Sequence, residues 1–193
     1  MPGSAAAAGT DGVYGRFRGD LELSGEAGAA FASGGPSFAV GLSALYLSTA
    51  GVYATYGDAV GSDDPRVTRS FAGGLRIAPV FLARYALDAE HGPAHLDLLV
   101  DSIAFDVGTF FGQPARGDFS SHPGLELGLG LRVPILPRVS GPFVGFRAAL
   151  RWRPQDFDAP ASVADRGGFL MLTVGWRQMV RTHLVDAGDE IRE

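Results

Sequence analysis

Between Val13 and Phe31 the sequence alternates almost without error. The odd positions are Val13, Gly15, Phe17, Gly19, Leu21, Leu23, Gly25, Ala27, Ala29 and Phe31, and between them lie Tyr14, Arg16, Arg18, Asp20, Glu22, Ser24, Glu26, Gly28 and Ala30. A period of two is the signature of a β-strand with one apolar and one charged face. At roughly 3.3 Å per residue such a strand would reach ~60 Å, far beyond the 5–6 residues usual in globular sheets.

Six further segments carry the same period. Ser37 to Tyr56 is apolar at Phe38, Val40, Leu42, Ala44, Tyr46, Ala50, Val52 and Tyr56. Arg66 to Asp88 sets Phe71, Leu75, Ile77, Phe81, Tyr85 and Leu87 against Arg76 and Arg84, with Pro79 interrupting the run. A central strand tolerates proline only at a bulge or an edge. His95 to Gly112 begins with Leu96, Leu98 and Val100 opposite Asp97 and Asp101; from Ile103 the phase flips, with Phe105 and Val107 opposite Asp106. One β-bulge would produce that flip. Pro123 to Val133 sets five apolar residues against Glu126, Gly128, Gly130 and Arg132. Phe143 to Arg153 sets Val144, Phe146, Ala148, Leu150 and Trp152 against Arg147, Arg151 and Arg153, and Gly167 to Val185 sets Leu170, Leu172, Val174, Trp176, Val180 and Leu184 against Thr173, Arg177, Arg181 and His183.

The connections alternate in length. Ala32–Pro36, Ala89–Ala94 and Pro134–Gly141 are short; Gly57–Pro65, Gln113–His122 and Pro154–Arg166 are longer and more polar. Transmembrane barrels show this asymmetry between inner turns and outer loops, and single-chain bacterial barrels have even strand numbers. Seven strands therefore predict an eighth before Val13, with the first strand and a signal peptide missing from the chain. The rival count splits Arg66 to Asp88 at Pro79. The predicted organisation is a flexible segment 1–12, a barrel domain 13–185 and a charged tail 186–193.

Composition narrows the class. No run reaches the roughly 18 apolar residues of a membrane helix, so a membrane reading is a barrel reading, since only helices and closed barrels satisfy every backbone group in lipid. Cysteine is absent, which removes disulfides and thiol chemistry. All 16 basic residues are arginine, the net charge is −5 and no basic run exists, so nucleic acid is not an expected partner. The first eight residues, Met-Pro-Gly-Ser followed by four alanines, have neither the basic nor the apolar region of a signal peptide.

The charged faces collect Arg16, Arg18, Asp20, Glu22, Glu26, Arg76, Arg84, Asp97, Asp101, Asp106, Glu126, Arg132, Arg147, Arg151, Arg177 and Arg181. An arginine turned to mid-bilayer lipid costs ~2–4 kcal/mol, so in a membrane barrel these groups face inward as a lumen charge network. Phe17, Phe38, Tyr46, Phe71, Phe81, Phe146, Trp152 and Trp176 are the expected membrane-facing aromatics. About eight strands enclose an interior that side chains just fill, which leaves no open pore. Alternation alone fits a soluble barrel equally well, with arginines wet and an apolar ligand held inside.

On this pattern, from Val13 to Val185, the chain resembles the small outer-membrane β-barrel family of Gram-negative bacteria. The resemblance implies an all-β, up-and-down antiparallel barrel of about eight strands in the bacterial outer membrane, with the lipid bilayer as partner. It departs at the C-terminus: family members usually end on a strand whose last residue is aromatic, and here a charged tail follows Trp176.

Catalytic and metal signals are weak. His91, His95, Asp97 and Asp101 gather around one turn without a known ligand spacing. Asp118, Ser120, Ser121 and His122 share one loop, whereas a hydrolase triad is assembled from separate elements. Arg18-Gly19-Asp20 and Arg116-Gly117-Asp118 spell a tripeptide that integrins recognise, a match short enough to arise by chance, and Gly128-Leu129-Gly130 lacks the helix of a phosphate loop. No catalytic residue, metal or cofactor is predicted. The expected role is structural, anchoring or interaction through the longer loops, with a lipid-active barrel enzyme as a further alternative.

Overall fold

The computed structural model describes residues 14–32, 35–60, 69–89, 92–114, 117–153 and 167–182. Eight antiparallel strands close in chain order: β1 (Leu21–Ala32), β2 (Gly35–Tyr46), β3 (Ala50–Ala59), β4 (Arg69–Ile77), β5 (Ala104–Gln113), β6 (Gly124–Pro134), β7 (Gly141–Trp152) and β8 (Gly167–Val180). β8 pairs with β1 from Leu21↔Val180 to Ala32↔Phe169 and seals the cylinder. Two short helices, α1 (Pro79–Ala86) and α2 (Ala94–Asp101), lie between β4 and β5.

The closed barrel corrects the strand count. β8 occupies the edge of β1 where the eighth strand was expected, so the barrel closes without a strand before β1. The uncounted strand lies inside Ser37 to Tyr56, which folds back on itself. Leu47 and Ser48 take positive φ (49° and 55°), and the Thr49 amide donates to the Tyr46 carbonyl at 3.0 Å. Positive φ at both central residues is the hairpin geometry whose twist matches the strands, usually built from Asn-Gly. Here Leu-Ser builds it and leaves no turn signal in the sequence. The register pairs Tyr46 with Ala50 and Leu45 with Gly51, so even residues stay outside on both strands. The hairpin therefore preserves the phase of the alternation and looks like one long strand.

Pro79 divides no strands; it is the first residue of α1, where its fixed φ and missing N–H suit a helix start. The phase flip after Val100 is the junction of α2 with β5 rather than a bulge: Asp97, Leu98 and Asp101 are buried at helical spacing. β1 begins at Leu21 instead of Val13; Tyr14 to Asp20 form a strap with a 3-10 turn at Arg16–Arg18.

Following the chain, one end of the barrel carries the start of β1, the end of β8, the turn at 47–49, the two helices and the connection at 135–140. The opposite end carries the strand ends that the connections at 33–34, 60–68, 114–123 and 153–166 join. Ala32 and Gly35 therefore stand at the same end as the strand ends that lead to the three longer loops, and 47–49 joins the short connections at the helical end.

Side chains follow the pleat around the whole cylinder. Leu23, Leu42, Val52, Leu75, Val107, Leu129, Leu150, Leu172 and Val174 are exposed on the outside. Glu22, Arg76, Asp106, Glu126, Arg132, Arg147 and Arg177 are buried inside. This is the reverse of a soluble barrel with an apolar interior.

Candidate functional site: a charged, side-chain-filled lumen

The register explains how so many long side chains fit inside one small cylinder. Across the strand pairs, Asp106 faces Gly128, Glu126 faces Gly108, Arg147 faces Gly130 and Tyr53 faces Gly74. A Cβ on Gly108 would sit 2.6 Å from the Tyr53 hydroxyl, and one on Gly145 would sit 2.4 Å from Thr173 Oγ1 and 2.5 Å from Glu26 Oε2. Glycines on the inner face make the volume that the charged chains occupy.

The middle of the lumen holds one continuous chain of ion pairs. Arg76 grips Asp106 with two bonds, Nε to Oδ1 at 2.7 Å and Nη2 to Oδ2 at 2.9 Å. Arg147 bridges the two carboxylates, donating from Nε to Asp106 Oδ2 and from Nη2 to Glu126 Oε1, both at 2.6 Å. Arg151 Nε donates to the other Glu126 oxygen at 2.6 Å, and Tyr53 Oη donates to Glu126 Oε1 at 2.8 Å. The Tyr53 ring also lies 4.7 Å from the Arg147 guanidinium. Beside this chain, Arg132 donates to Glu22 at 3.1 Å and to Ser43 at 2.9 Å, and Ser43 shares a hydrogen bond with Ser24. Thr173 donates to Glu26 at 2.8 Å.

Each end of the lumen is stopped differently. Toward the longer loops, Ala30, Ala39, Ala149, Phe169 and Met171 form an apolar cluster, and Arg151 stacks 4.1 Å from the Phe169 ring. At the helical end, Leu98, Val139 and Met179 cluster with Tyr14 packed against them. An ionic cap surrounds that cluster. Arg16 pairs with Asp101 at 3.0 Å, and Arg84 pairs with Asp101 at 2.8 Å and with Asp97. Asp97 Oδ2 accepts from Tyr14 Oη at 2.7 Å and from the Gly92 amide at 3.0 Å. Burial works to raise the Asp97 carboxyl, but the bonds from Arg84 and Tyr14 and the Arg84 charge outweigh it and hold the group below its ordinary value. Burial likewise works to lower Arg84, and its bond to Asp97 and the Asp101 charge overcome that and raise it.

The predicted residues thus divide. Glu22, Arg76, Glu126, Arg132, Arg147, Arg151 and Arg177 sit inside the barrel. Arg16, Arg84, Asp97 and Asp101 lie in the cap rather than on strand faces, since their segments are helical or irregular. Arg18 and Arg181 are exposed at the rim, where Arg181 Nε donates to the Arg18 carbonyl at 2.9 Å, so neither belongs to the lumen. Asp20 accepts from the Thr182 amide at 2.6 Å at the same rim.

Among the aromatics, Phe38, Phe71, Phe146 and Trp176 are exposed on the outer wall, and Tyr46 and Trp152 are half-buried. Phe81 is the exception. It is buried in α1 with the Arg16 guanidinium 4.1 Å from its ring; residues 81 and 85 are one helical turn apart, a spacing of four that also fits a period of two and so reads as a strand face. Of Phe17 only the backbone is described.

The weaker candidates do not converge. His91 lies outside the described residues, His95 Nε2 is 3.4 Å from the Ile135 carbonyl, and Asp97 and Asp101 are taken by arginines. Among the described residues no group of three or more His, Asp, Glu or Cys could hold a metal. Ser121 Oγ and His122 Nδ1 are 3.2 Å apart, while Ser120 Oγ bonds to the His122 backbone and the Ser120 amide to the Gly112 carbonyl. Ser120, Ser121 and His122 are exposed neighbours in one turn. In the first Arg-Gly-Asp tripeptide Arg18 is exposed but Asp20 is buried, and Arg116 of the second lies outside the described residues.

The fold and its interior define a closed eight-stranded up-and-down barrel with a filled, charged lumen. Among solved structures it is similar to Ail, the attachment invasion locus protein of Yersinia pestis, both alone and in complex with the heparin analogue sucrose octasulfate. Each comparison has 11% identity and a TM-score of 0.38, over 82% of this chain and 96% of that one. Likeness at that level says nothing of what this chain binds or does. No family model matches the sequence, and no curated protein does.

Proposed function

We propose that the chain is an integral protein of a bacterial outer membrane, a plugged barrel that serves as an anchor and presents its longer loops for interaction. One observation carries the reading: large apolar side chains stand exposed around the whole outer wall while the charges are inside. Leu42 is 67% exposed, Val174 65% and Leu75 60%. Monomeric soluble proteins rarely leave contiguous apolar surface beyond a few hundred Å², whereas lipid-facing strands alternate apolar-out and polar-in. Strand lengths agree, from 9 residues in β4 to 14 in β8, against the ~9–11 tilted residues that cross the hydrocarbon.

The filled interior favours a scaffold over a pore. The strand ends that lead into 57–65, 113–122 and 154–166 share one end, and its described part exposes Val60 and Phe119, apolar side chains suited to a protein partner.

Fractionation with and without detergent tests the reading. An outer-membrane barrel sediments with the envelope, needs detergent to stay monodisperse, and migrates differently on gels when boiled. A chain that remains a folded monomer in plain buffer overturns the proposal.

A further inference from the structure

We infer that the lumen holds one small monovalent anion of chloride size beside Arg76 and Arg147. The central chain of ion pairs joins three guanidinium groups, Arg76, Arg147 and Arg151, to two carboxylates, Asp106 and Glu126. Counted with Arg132, Arg177, Glu22 and Glu26, which line the same space, five guanidinium groups face four carboxylates, so one positive charge is left over inside a wall of protein. An uncompensated buried charge is costly, and a bound counter-ion removes the excess.

Three further observations place the ion. A cavity of about 20 Å³ opens against this chain, lined by Arg76, Arg132, Arg147 and Arg177 on the cationic side and by Glu22 and Glu26. The Arg16–Asp101 pair also contributes to its lining. One water needs roughly 10–15 Å³ measured this way, so the space admits an ion slightly larger than water. Arg147 is 3% exposed, and with its Nε and Nη2 spent on carboxylates, its Nη1 is buried with no hydrogen-bond partner among the described residues. Arg177 is also buried; its Nε donates to the Val139 carbonyl at 2.7 Å, and the carboxylate that feels its charge, Glu22, is already bonded to Arg132. A halide accepts from several N–H groups at once and requires no directional geometry, which suits donors that converge from different strands.

The test uses the full chain folded in detergent, or in plain buffer should the barrel prove soluble, because the lumen is the same in either case. Thermal unfolding is followed while sodium chloride replaces sodium gluconate at constant ionic strength. The expected result is a saturable rise in melting temperature of a few degrees, reproduced by bromide, with a bromide anomalous peak in the cavity. Gly130→Asp provides the control. A Cβ there meets nothing nearer than Arg76 Nη2 at 3.8 Å, so the new carboxylate supplies a built-in anion and the chloride response disappears. Should that variant not fold, Arg177→Gln moves the chloride midpoint at least tenfold higher. Melting that is indifferent to anion identity, no bromide in the cavity, or a full chloride response in Gly130→Asp overturns the inference and leaves the cavity to water.

Discussion

At the scale of single residues, the lumen depends on matched partners rather than on charge alone. Glu126 is fully buried and accepts from Arg147, Arg151 and Tyr53. Glu126→Gln leaves Arg151 without a counter-charge and Arg147 with Asp106 alone, and should cost about 3–5 kcal/mol. Tyr53→Phe removes one bond to a charged group and should cost about 1.5–3 kcal/mol. Urea unfolding in micelles, followed by tryptophan fluorescence, ranks the two; equal losses would show that the carboxylate is not central. Space is the other constraint. Gly145→Ala places a methyl against Thr173 and Glu26, and overpacking of this kind costs about 1–3 kcal/mol, read by the same unfolding curve. The charged residues were legible by parity. Their glycine partners were not, because which glycine faces which arginine depends on strand register, and register is a long-range property.

At the scale of elements, the helical cap is the part that alternation concealed. A segment such as 94–101 puts Asp97, Leu98 and Asp101 on its buried side, and eight residues are too few for periods of 2.0 and 3.6 to separate cleanly. The hairpin within 37–56 was concealed for the opposite reason: its turn keeps the strand phase. The cap's charge pairs make it acid-sensitive. The folded Asp97 carboxyl lies below its ordinary value, so its contribution is complete above the ordinary carboxylate value of about 4 and is lost as pH falls through the lowered one. Hydrogen exchange, corrected for intrinsic rates, should show α2 losing protection in that acid window while the β-strands keep theirs. Asp97→Asn should leave α2 weakly protected at neutral pH and insensitive to further acidification. Protection of α2 that is constant from neutral to acid pH would contradict the assignment.

At the scale of the whole molecule, the wall and the interior make separate predictions. Val174 lies near the middle of β8 on the outer face. In a bilayer, Val174→Arg should cost about 2–4 kcal/mol, whereas on a solvated surface it should stay within about 0.5 kcal/mol. Folding titrations in lipid vesicles separate the two. The lumen is stopped by Phe169 and Met171 at one end and by Leu98, Val139 and Met179 at the other. Reconstituted into planar bilayers, the folded chain should therefore pass no steady ionic current; stable open-channel steps would show that the stoppers move aside.

The sequence by itself determined two faces and their chemistry, because side chains alternate strictly along any strand and apolar and charged residues sort onto opposite sides before a partner strand is chosen. Only the tertiary structure decided the number of strands, the helical cap and the network of partners. Closure is a relation between β1 and β8, at opposite ends of the chain, and turns such as Leu47-Ser48 are held in left-handed geometry by the strands they join rather than by their own preference.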